Sequence, residues 1–186
     1  MSWPNYKRYK LKVHLEQWKL QILEHIGQTS CIECGCIEWR VLEFIHNDSA
    51  NREFAIKYGF THCYSLERLK LEAQKCTVYR ANCGQLSRLG RNGRFQKYAD
   101  QALERKRNLL KVVSQETCQE CGTDDARVLS FHHTQDNKLF RLAAKLNQVT
   151  IPLLSLVEEA LKCQVLCINC HRLHHILEAE HELTNA

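Results

Sequence analysis

The side chains best suited to chemistry lie between residues 118 and 175. They are Cys118-Gln-Glu-Cys121, the pair His132-His133, and Cys167-Ile-Asn-Cys170-His171-Arg-Leu-His174-His175. Two Cys-x-x-Cys knuckles supply four thiolates, the donor set of a closed tetrahedral structural zinc, here Cys118, Cys121, Cys167 and Cys170. The histidines remain for a second, open site at which a divalent ion would bind water and a phosphate oxygen. His171 and His175 are four residues apart and so share one face of a helix.

The same segment recurs 87 residues upstream, with Cys31, Cys34, Phe44, His46, Lys75, Cys76, Asn82 and Cys83 at matching positions. So long a period with shared anchors indicates two copies of one domain, not a solenoid. What differs is the chemistry. Ile45 stands for His132, Gly84 for His171, Arg88 for His175 and Arg80 for Cys167. The first copy thus keeps a scaffold with the degenerate thiol set Cys31, Cys34 and Cys83. Cys36, Cys76 or His62 is a candidate fourth ligand, and folding without metal is the alternative.

At 186 residues the chain can bury one ordinary core or two small ones, and small ones need a metal's contribution to folding. Eleven cysteines in Cys-x-x-Cys spacing, with no apolar leader in Met-Ser-Trp-Pro-Asn-Tyr-Lys-Arg, favour metal binding over a disulfide scaffold. The expected setting is intracellular: cytoplasm or nucleoid, or a host cell if virus-encoded. No run approaches transmembrane length, so no membrane partner is expected. A formal charge of +5 is modest, but Arg88, Arg91, Arg94, Lys97, Arg105, Lys106, Arg107 and Lys111 are concentrated in one stretch. Such a stretch draws a polyanion, duplex DNA first and RNA as the other possibility.

Those side chains need elements to hold them. Apolar spacing predicts amphipathic helices over residues 7–26 and 96–113, and short strands over 40–44 and 127–131. Helices are expected to start near Ser65, as N-cap, and at Pro152, as a first-turn residue, the second running to Lys162. The second knuckle should open a C-terminal helix. Leu89-Gly90-Arg91-Asn92-Gly93-Arg94 reads as a joint, dividing domain 1–90 from domain 91–186. Cys63 and Cys163 read as buried apolar residues, and His14, His25 and His181 as surface.

Leu129-Ser-Phe131-His132-His133, followed by Cys163-Gln-Val165-Leu166-Cys167-Ile-Asn169-Cys170-His171, resembles the HNH, or ββα-metal, endonuclease family in its zinc-stabilised phage and bacterial form. The likeness spans about residues 107–176 and extends weakly over 20–90. It implies an α+β fold of two tandem small ββα-metal domains, each with a preceding helix and zinc-knuckle elements. It also implies metal-dependent hydrolysis of DNA phosphodiester bonds, leaving a 5′ phosphate and a 3′ hydroxyl. His133 would be the general base, and His132, His171 and His175 would hold a catalytic divalent ion (magnesium, or manganese or nickel). With one site per chain, a pseudo-dimeric monomer would nick DNA, the first copy serving as a noncatalytic DNA-positioning scaffold. Lys162 occupies the place of the family's middle asparagine, leaving Asn137 or Asn169 to brace the loop. The alternative is a noncatalytic zinc-bearing nucleic-acid-binding protein with the same fold.

Overall fold

The computed structural model describes residues 3–89, 96–135, 137–148 and 150–184. The architecture is α+β, with eight α-helices and two separate two-stranded sheets among the described residues. Two compact units divide the chain: one runs to Gly84 and takes up the chain again from Leu173, and the other is Gln85–Arg172. Helix α8 runs unbroken across the second boundary.

In the first unit, α1 (Trp3–His25) precedes the knuckle, then come β1 (Leu42–His46), α2 (Ile56–Thr61), α3 (Leu66–Ala73), β2 (Cys76–Arg80) and the start of α4 (Ala81–Leu89). Ser65 caps α3, its hydroxyl accepting from the Arg68 amide. Strands β1 and β2 pair antiparallel, Leu42 opposite Arg80 and His46 opposite Cys76. Val78, Leu69 and Ile22 are fully buried. Ile22 and Leu69 pack with Phe54, Ile56 and Ala73, while Val78 packs with Leu23, Cys31 and Leu42.

The second unit repeats this plan. After α5 (Gln96–Val112) come β3 (Leu129–His133), α6 (Leu142–Leu146), α7 (Leu154–Ala160), β4 (Cys163–Cys167) and the start of α8 (Ile168–Thr184). Every pair in the β3–β4 register is the β1–β2 pair advanced by 87: Leu129 faces Cys167 and His133 faces Cys163. Leu109, Leu156 and Ala160 bury against one part of the hairpin, and Leu110, Val128, Val165 and Leu166 against another. Smaller contacts repeat as well. Gln28 accepts from the Val78 amide and donates to the Cys76 carbonyl, and Gln115 does the same for Val165 and Cys163. A glutamine side chain thereby satisfies the open edge of each hairpin.

Several expectations need adjusting. Both first strands begin two residues later than the alternation suggested, and carry His46 and His133 at their ends. Helix α1 starts at Trp3, with Pro4 tolerated because first-turn amides have no helical partner. Pro152 lies before α7, where its carbonyl accepts from the Ser155 amide in a tight turn. Cys63 is exposed at positive φ after α2, whereas Cys163 is buried as expected. The joint beyond Leu89 lies outside the described residues, and so do Arg91 and Arg94.

Candidate metal centres and histidine cluster

The knuckle thiols converge. Cys118, Cys121, Cys167 and Cys170 each bring a sulfur within 4.8 Å of the other three, and in the first unit Cys31, Cys34 and Cys83 each lie within 4.8 Å of the other two. Gly122 (φ +73°) and Gly35 (φ +68°) supply the left-handed turn that closes each knuckle, their amides bonding to the Cys118 and Cys31 carbonyls. Crowded sulfurs cannot all ionise without a cation among them. Burial, then the neighbouring Cys167, push the Cys170 thiol far up. Burial opposes ionisation of Cys121 too, but the Thr123 hydroxyl and amide, with Cys118 and Cys167, outweigh it and bring the thiol down to about 6. One readily ionised thiol, Cys121, beside one resistant thiol, Cys170, is the proton-sharing that a dication would replace. The donor set and spacing fit a structural zinc.

Of the histidines, His132 is buried and lies edge-on to His171, with ring centroids 5.0 Å apart. The Ser130 hydroxyl lies between the Leu166 carbonyl and the His171 ring. With its proton on the Leu166 carbonyl (3.1 Å), its oxygen would accept from His171 Nδ1, 2.8 Å away. In that tautomer Nε2 of His171 carries the lone pair that a metal requires. One turn along α8, His175 Nδ1 lies 3.0 Å from Glu178 Oε2 and donates to that carboxylate. His132 and His171 thus belong to one unit, whereas His174, His175 and Glu178, further along α8, fall in the other.

His133 faces elsewhere. Adjacent strand residues point to opposite sides of a ribbon, so His133 turns toward α7 when His132 turns toward α8. Its Nε2 lies 2.8 Å from Glu159 Oε1, a carboxylate that is 1% exposed. The same carboxylate accepts from the Leu139 amide (2.8 Å) and from Lys162 Nζ (2.8 Å). Burial alone would raise the Glu159 pKa, but Lys162, the Leu139 amide and His133 outweigh it and lower it to about 2. An ionised carboxylate only accepts, so Nε2 of His133 carries a proton and Nδ1 is left as the basic nitrogen of the neutral ring. Lys162 also reaches the Asn137 carbonyl (3.4 Å). Glu159 with Lys162 thus ties this loop to α7.

The first unit has the same latch: His46 to Glu72 (2.7 Å), Lys75 to Glu72 (2.7 Å), and the Glu53 amide to Glu72 (2.9 Å). Neither glutamate figured among the site residues expected from sequence. Their recurrence 87 residues apart, each with a lysine three residues on, was the available signal. The latch predicts acid sensitivity. Glu72, like Glu159, is held at about 2, below an unfolded value near 4.3. The stabilisation is complete above the unfolded value and is lost as pH falls from about 4.5 toward 2. Thermal melts across that range should show a steep fall for wild type and a flatter one for Glu159→Gln.

Where the histidine cluster would stand in the first unit, the space is filled. Ile45 occupies the position of His132, Glu43 that of Ser130, and a Cβ on Gly84 would meet the Glu43 carboxylate and Ile45 Cδ1 at 2.8 Å. Gly84→Ala should therefore lower stability by about 1–3 kcal/mol through overpacking, measurable by denaturant titration.

The basic stretch divides. Arg107 pairs with Glu104 (3.4 Å), and Lys111 and Arg88 are exposed. Arg105 turns inward, donating to the Leu146 (3.2 Å) and Ile151 (2.7 Å) carbonyls, and Lys106 Nζ donates to the Leu129 carbonyl. Burial, opposed by Asp125, lowers the Lys106 pKa to about 8. Two of the expected DNA-binding cations are thus holding the fold together. Lys97 lies on α5, and its side chain is outside the described residues. No helix among the described residues is long and apolar enough to cross a membrane.

Compared with known protein families, with characterised proteins and with solved structures, the chain matches none.

Proposed function

We propose that the second unit is a ββα-metal endonuclease that hydrolyses DNA phosphodiester bonds at one site per chain, the first unit being a noncatalytic scaffold. The observation that carries this is the 2.8 Å contact of Ser130 Oγ with His171 Nδ1, which supports a tautomer whose Nε2 can meet a metal, beside buried His132. Pure DNA binding has no use for that arrangement. A divalent ion at His132 and His171 would supply charge stabilisation for the phosphate and the leaving 3′ oxygen. His133, oriented by Glu159, would take the proton of the attacking water at Nδ1. Exposed Arg107, Lys111 and Arg88 would contact the DNA backbone.

The test is cleavage of supercoiled plasmid with added magnesium or manganese. Nicked circles that require both protein and metal, and disappear with His171→Ala, are expected. Gel retardation of duplex DNA without any nicking would favour a noncatalytic nucleic-acid-binding protein. That second reading draws on one observation: the His–Glu–Lys latch is also present in the unit without a histidine cluster, so His133 has a structural use independent of catalysis.

A further inference from the structure

The first unit's thiol cluster differs from its counterpart at one corner of the tetrahedron. Arg80 occupies the register position of Cys167, opposite Leu42 as Cys167 is opposite Leu129. It is directed at the cluster, its Nε donating to Cys83 Sγ at 3.3 Å. A guanidinium has no lone pair to offer a metal, so among the described residues the corner held by Cys167 in the second unit has no donor in the mutually close set here. Cys36 does not replace it. It stands where Thr123 stands in the other unit, beside a knuckle sulfur (Thr123 Oγ1 to Cys121 Sγ is 3.2 Å), and it does not belong to the mutually close set Cys31, Cys34 and Cys83. Cys34 is exposed, so the cluster is reached by solvent.

We propose that Cys31, Cys34 and Cys83 form an open three-thiolate metal site whose fourth ligand is an exchangeable water or small anion held beside Arg80. Three protein ligands with one open position distinguish reactive zinc sites from closed structural ones. Charge points to the same class of ligand. Three thiolates around a divalent ion leave one net negative charge, which the Arg80 guanidinium neutralises. A monoanion in the fourth position therefore meets an adjacent cation instead of the uncompensated charge of a four-thiolate site. Azide, chloride or a small thiolate fits this description, and a bulky neutral donor does not. The inference does not depend on whether the second unit cleaves DNA.

The experiment uses cobalt(II) as the spectroscopic probe on the full chain, with azide as the anion. Only thiolate-bound cobalt gives sulfur charge-transfer absorption, so ions at the histidine cluster do not enter the count. Two thiolate-bound ions per chain are expected, with azide shifting the spectrum of one and leaving the other unchanged. Arg80→Cys should keep both ions and abolish the azide response. Cys36→Ser should leave both ions and the response intact, which serves as a second test if Arg80→Cys fails to fold. One thiolate-bound ion per chain, or two with no azide response, overturns the proposal. Loss of an ion or of the response in Cys36→Ser also overturns it, by making Cys36 the fourth ligand.

Discussion

His133→Ala is expected to lower plasmid nicking by about 100-fold to 10,000-fold, the usual contribution of a positioned general base. The equivalent change in the other unit, His46→Ala, should leave nicking within about two-fold of wild type. The pair is informative because the two histidines make the same structural contact. Each donates to a buried carboxylate that also holds a lysine and a loop amide. Removing either ring deprives a buried glutamate of one partner, at a cost of about 1–3 kcal/mol. Thermal melts should therefore register both substitutions to a similar degree. Equal loss of cleavage in both variants would mean that the latch acts only through folding. Unchanged cleavage in His133→Ala would move the base to another residue and reduce His133 to a brace.

Removing the metal from the four-cysteine cluster should have the largest effect on stability. Structural zinc contributes roughly 10–16 kcal/mol of apparent binding free energy, and in small domains binding and folding are one event. Cys167 is 1% exposed at the end of β4, where it joins the sheet core to the knuckle and the start of α8. Cys167→Ser, or prolonged chelation of the wild type, should melt the second unit at 25 °C, with loss of circular dichroism and zinc content together. Amide exchange should show the first unit's hairpin still protected, because its core around Val78 and Leu69 belongs to a separate unit. A Cys167→Ser protein that melts within a few degrees of wild type would reject a structural zinc at this cluster.

The sequence by itself determined the period of 87, the two knuckles, the helices that flank them and the α+β class. Those features are local: ligand spacing along the chain and apolar periodicity require no partner to be recognised. The paired strands show where local reading stops. Cys163–Cys167 is a short, nearly continuous apolar run, and alternation cannot identify a strand that is buried over most of its length, so β4 became visible only through its register with β3. Charged side chains show the same limit more sharply. Glu159, Glu72 and Lys106 have compositions that suggest a solvated surface, and only the fold reveals that two are buried anions with several donors each, while the third points inward. Ser130 is likewise an unremarkable strand residue until β4 brings the Leu166 carbonyl to one side of its hydroxyl and α8 brings His171 to the other. Sequence can specify which donors a site has. Their tautomers, partners and directions depend on groups dozens of residues away, and the tertiary structure alone brings those within hydrogen-bonding reach.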